Sequence, residues 1–158
     1  MPRISRRKFI TRATAAGAGT CMCGLSGCAT FSKVGKTPSI PADAYSFKNG
    51  KLTILLGKVA QLEKIGGSIK IIDSKLPEPL IIARIEEKEY TAVSIKCPHR
   101  GVEVEYKHDS KQFRCASLGS STFATDGTYK KGFAKKSLTR FDAKLDPSDP
   151  NSLIISMT

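Results

Sequence analysis

Eight short runs of β-branched, aromatic and aliphatic residues lie between Lys51 and Met157, and they constrain the fold more than any other feature. They are KLTILL (51–56), SIKIID (68–73), LIIARI (80–85), YTAVSIK (90–96), VEVEY (102–106), QFRC (112–115), LTRFDAKL (138–145) and SLIISM (152–157). Turn-formers separate them: Gly66-Gly67, KLPEP, HDSK, TDGT and DPSDPN. Such residues suit a pleated, half-buried surface, and Gly, Pro, Asp and Asn supply the turns. No window keeps a 3.6-residue period, apart from about one turn's worth in GKVAQLEKI. Many strands at short spacing predict an all-β fold, an antiparallel sandwich or small barrel.

The N-terminal part has a different character. SRRKFIT places Arg6 and Arg7 ahead of an uncharged Ala/Gly-rich stretch running to Gly27. A basic start, an apolar middle and small residues at the end form the layout of an export signal. The apolar part is too short for a spanning helix, which needs about 20 residues. The paired arginines resemble the twin-arginine export signal of bacteria. LSGC, ending at Cys28, resembles a lipoprotein lipobox, in which the chain is cut before a cysteine whose thiol carries the lipid. The expected organisation is a signal peptide over 1–27, a lipidated tether over 28–44 and a domain over 45–158. The tether reading rests on the small, polar, proline-containing composition of ATFSKVGKTPSIPADA. The expected location is the periplasmic side of a bacterial envelope membrane.

Charge bears on partners. Lys and Arg number 26 against 14 Asp and Glu, a net charge of +12. Loss of Arg3, Arg6, Arg7, Lys8 and Arg12 with the leader leaves 21 against 14, about +7. Such a balance suits a negative membrane surface or an acidic protein, and outside the cytoplasm it argues against nucleic acid. No Ser/His/Asp set, phosphate-cradling glycine loop or paired-carboxylate motif is present. A carrier or subunit is therefore expected rather than a self-contained enzyme.

Metal-ligating residue types fall in two short clusters. Cys97 and His99 follow the run YTAVSIK, and Cys115 ends QFRC. Fifteen residues separate His99 from Cys115 and read as a hairpin, so its two flanking loops lie side by side. The other histidine, His108, falls at the hairpin tip, too far away to ligate.

The arrangement C-x-H, fifteen residues, C-x-x-L resembles the C-x-H…C-x-x-H pattern of Rieske [2Fe–2S] proteins. LEKIGGSIKII resembles that family's early strands, and FATDGTYKKGFAKKSLTRFDAKLD resembles its later region. The resemblance implies a Rieske-type antiparallel sandwich or small barrel with the cluster-binding loops at one end. It implies thiolates from Cys97 and Cys115 on one iron and imidazole from His99 on the other. Leu118 stands where the second imidazole belongs. Ser120 and Phe123 fall at positions that border the cluster. Val102 and Ser117 occupy the places of a loop-to-loop disulfide found in one branch of the family. The loop after Leu118 is one residue longer than the family's H-G-S-x-F/Y spacing, and Phe133 and Ser137 stand where prolines are common.

These departures leave three chemistries open: a [2Fe–2S] cluster, a cluster-free fold whose cysteines are thiols or a disulfide, and a single zinc on Cys/His/Cys with water fourth. The function implied first is electron transfer, as an anchored Rieske protein or small subunit of a periplasmic respiratory or oxidase complex. The partner would be a redox protein or larger oxidoreductase subunit. The alternative is a fold retained without its cluster as a structural or docking subunit.

Overall fold

A computed structural model describes residues 35–157. Arg6, Arg7 and Cys28, read as export signal and lipid site, lie outside these residues. Eleven antiparallel strands form two sheets. They are β1 (Tyr45–Lys48), β2 (Lys51–Leu55), β3 (Ser68–Ile71), β4 (Leu80–Glu86), β5 (Glu89–Ser94), β6 (Val104–Lys107), β7 (Gln112–Cys115), β8 (Thr122–Ala124), β9 (Tyr129–Lys131), β10 (Arg140–Asp146) and β11 (Asp149–Ser156). The larger sheet runs β1-β2-β11-β10-β5-β4-β3 and the smaller β6-β7-β8-β9. The described residues contain no α-helix, only short 3-10 turns. The all-β expectation holds. GKVAQLEKI forms two of those 3-10 turns, Leu56–Lys58 and Ala60–Leu62.

Each of the eight predicted runs contains a strand. Three further strands, β1, β8 and β9, are only three or four residues long. β1 had a readable cue: Asn49-Gly50 joins it to β2, with φ of 51° and 73° and Lys48 opposite Lys51. Two consecutive left-handed residues make the tight hairpin turn that Asn-Gly favours. DPSDPN is less of a break than expected. β10 continues to Asp146 and β11 begins at Asp149, with a register shift that places Pro150 where no ladder N–H is required.

Two apolar clusters fill the described residues. One lies over the larger sheet and includes Leu52, Ile54, Ile69, Leu80, Ile82, Leu153 and Ile155. The other packs Ile81, Val93 and Ile95 against Val104, Phe113 and Phe123 of the smaller sheet, and it includes Cys97 and Cys115. β4 supplies both, because successive residues of a strand face opposite ways.

Residues 35–44, assigned by sequence to the tether, are bonded into the domain. The Gly35 N–H donates to Glu103 Oε2 at 2.8 Å and the Lys36 N–H to Glu105 Oε1 at 2.6 Å. The Lys70 N–H donates to the Pro38 carbonyl at 2.8 Å, Ser39 bridges in parallel to Lys70, and Ala44 is fully buried. Proline and small residues suit this extended path as well as they suit a linker, so composition alone does not separate the two.

Candidate functional site

The β6–β7 hairpin carries one sequence cluster at each base. β5 leads through Ile95 and Lys96 to Cys97, and Lys96 bridges Glu103. The Cys97 N–H donates to the Val102 carbonyl and the Gly101 N–H returns to the Cys97 carbonyl, which closes the first loop. Gly101 has φ of 67°, a conformation that suits a residue without a β-carbon. On the other edge of β6, Val104 pairs with Cys115 and the Ala116 N–H donates to the Glu103 carbonyl.

The second loop turns at Ser117 to Ser120, where the Ser120 N–H donates to the Ser117 carbonyl. The chain then returns, with the Cys115 N–H on the Ser121 carbonyl at 2.8 Å. Ser121 is buried, and its Oγ accepts the N–H groups of Phe133 and Ala134, each at 3.0 Å. That bond draws a third segment, after β9, over the loops. Gly132 allows the approach, since a β-carbon there would lie 2.5 Å from Ser121 Cα.

Cys97 and Cys115 are both free and buried, and lie in the same apolar cluster. Burial pushes the Cys97 thiol above its ordinary value of 9.0, and the neighbouring Cys115 thiol adds to the effect. The His99 N–H and the Ser121 hydroxyl oppose it. The Cys115 thiol donates to Ser117 Oγ at 3.2 Å.

His99 is exposed, and its ring stacks on Phe133 with centroids 5.8 Å apart at 25°. Among the described residues, no group of three or more Cys, His, Asp and Glu side chains is placed to hold a metal ion. Leu118 projects into solvent, 92 % exposed. Ser120 accepts from Arg114 Nη2 at 3.0 Å and donates to the Ser117 carbonyl, so its bonds go to neither sulfur. Phe123 is wholly buried in the second apolar cluster, edge-on to Tyr129. His108 is exposed at the hairpin tip, over Gly66. The serine hydrogen-bonded to a thiol is Ser117.

Residues 54–142, more than half of the chain, match the Rieske [2Fe-2S] domain family. The chain belongs to this family. It is similar in structure to the ferredoxin of carbazole 1,9a-dioxygenase from Nocardioides aromaticivorans IC177, at 14 % identity and a TM-score of 0.52, over 67 % of this chain and 98 % of that one. It is also similar to the cyanobacterial plasma membrane Rieske protein PetC3 from Synechocystis PCC 6803, at 23 % identity and a TM-score of 0.48, over 57 % and 86 %. No curated protein sequence matches.

Rieske proteins hold their cluster with two thiolates on one iron and two imidazoles on the other. The donors of this chain do not complete that set. The two thiols lie in one apolar cluster, His99 is the sole histidine of the two loops and is exposed, and among the described residues no third Cys, His, Asp or Glu donor joins them. The residues present therefore do not fit the family's cluster.

Proposed function

We propose that this protein is an exported, lipid-anchored Rieske subunit of a redox complex in the bacterial envelope, and that its fold serves contact with the complex rather than carriage of a [2Fe–2S] cluster. One observation carries the choice: Leu118, which the sequence resemblance puts at the fourth ligand position, is 92 % exposed and offers no donor atom. Iron left with an open position there would exchange with solvent. Export and anchoring rest on Arg6 and Arg7 and on LSGC at Cys28. The basic balance of the chain supports a negatively charged membrane or protein neighbour.

A second reading, one-electron transfer through a cluster, is favoured by Cys97 and Cys115, which share one buried cluster and which the resemblance makes the donors for one iron. Electron paramagnetic resonance of anaerobically purified, dithionite-reduced protein separates the two. The docking reading expects no reduced-cluster signal; a Rieske-type signal supports the carrier. The anchor has its own test. Radioactive palmitate should label the wild type and not Cys28→Ala, and equal labelling of both sinks the anchoring claim.

A further inference from the structure

We propose that the loop end of the domain lies on an anionic lipid surface, with Leu118 and Phe133 entering the headgroup layer, as a second membrane contact beside the acylated Cys28. This rests on the reading that Cys28 carries lipid. Leu118 and Phe133 are 92 % and 64 % exposed, the highest values among the large apolar side chains described. They come from different segments yet form one patch. The Phe133 ring lies over Gly119, where a β-carbon would come within 2.7 Å of it, and it stacks with the exposed ring of His99. An exposed apolar patch with a polar rim marks a surface that something covers.

Charge identifies the cover. The segments that build this end, 96–101, 114–121 and 130–137, hold seven Lys and Arg and no Asp or Glu, and all seven are exposed. Lys130 and Lys131 precede Phe133, and Lys135 and Lys136 follow it. Glu105 shares a groove with Leu118 and Arg114, but its charge is met by Lys107 at 2.6 Å. Apolar tips among basic side chains suit the boundary between acyl chains and anionic headgroups. The path of the chain favours lipid over an acidic protein. The Gly35 N–H bonds to Glu103 and the Lys36 N–H to Glu105, so the described chain begins at the edge of that groove. Six residues separate Cys28 from Gly35. Fully extended, that length spans about 25 Å, a short leash that keeps this end beside the bilayer.

The test uses protein expressed from the full chain and extracted from membranes, with the lipid on Cys28 established first by mass spectrometry. The chain contains no tryptophan, so Leu118→Trp and Phe133→Trp each install a single fluorescent reporter. Ser148→Trp is the remote control. β10 starts opposite Val93 and runs away from Cys97, which places the β10–β11 turn at the other end of the domain. The protein is inserted into vesicles of phosphatidylglycerol with brominated phosphatidylcholine, or of brominated phosphatidylcholine alone. The expected result is a blue shift and bromine quenching at positions 118 and 133 with phosphatidylglycerol, and neither at 148. Both effects should be lost without phosphatidylglycerol and weakened by added salt. Water-like emission at 118 and 133 on lipidated, vesicle-bound protein overturns the proposal and leaves the docking reading standing, with the patch open to an acidic protein. Equal quenching at 148, or equal quenching without phosphatidylglycerol, also overturns it. A Cys28 without lipid overturns both the proposal and the anchoring on which it rests.

Discussion

Ser121 shows how much one side chain can organise here. Its buried hydroxyl accepts two backbone N–H groups from the segment after β9, while its own carbonyl accepts the Cys115 N–H. Ser121→Ala leaves two amides without that acceptor, and a lost buried bond costs about 1–3 kcal/mol. We expect a destabilisation of about 2 kcal/mol by urea unfolding, with the Phe133 and Ala134 amides exchanging faster. Unchanged exchange at both amides would remove Ser121 from this role. The residue was hard to read in advance because its partners lie twelve and thirteen positions downstream. Cys97, His99 and Cys115 were legible as ligand types from spacing. That His99 would lie flat on Phe133 was not, since it depends on where a third segment crosses.

At the scale of elements, β6 ties the N-terminal segment to the site. Its neighbour Glu103 takes the Gly35 N–H and the Lys70 ammonium on one oxygen, each at 2.8 Å, while its carbonyl holds Ala116 beside Cys115. Lys70 and Glu103 are largely shielded, with side chains 8 % and 17 % exposed. Removing one member of a buried pair leaves the other uncompensated and costs about 3 kcal/mol or more. Glu103→Gln should therefore destabilise the domain by roughly that much and speed amide exchange from Gly35 to Ser39. Exchange confined to the second loop would contradict the latch.

Glu105 gives the same region a pH dependence. The Lys107 ammonium and the Lys36 N–H hold its carboxyl below the ordinary value of 4.5. A lowered folded-state value means the unfolded chain takes up the proton first. Its stabilising contribution is complete above about pH 5 and fades as pH falls through the folded value. Glu105→Gln should lose stability at about pH 7 yet show a shallower acid decline than the wild type. Parallel pH profiles would refute the assignment. None of these carboxylate roles was visible from sequence, where VEVEY shows only outward-facing charge on a strand.

Across the whole molecule, strand composition was readable and sheet assembly was not. The Ile, Val and Leu runs became strands because each can bury one face, and the Gly and Asp-Gly breaks became turns. The insertion of β11 between β2 and β10, about a hundred residues from β2, follows from matching of apolar faces at long range. β10 then joins that group to β5, pairing Arg140 and Phe141 with Val93 and Ala92 before it turns to β11. The result presents two loops from one hairpin and a third segment over them. The measurement closest to the central claim is the iron and acid-labile sulfide content of anaerobically purified protein, wild type beside Leu118→His, with Ser117→His as the control for an added imidazole. The wild type should hold neither iron nor sulfide and Leu118→His should gain both, while Ser117→His should not. A wild type carrying two irons and two sulfides per chain would contradict it.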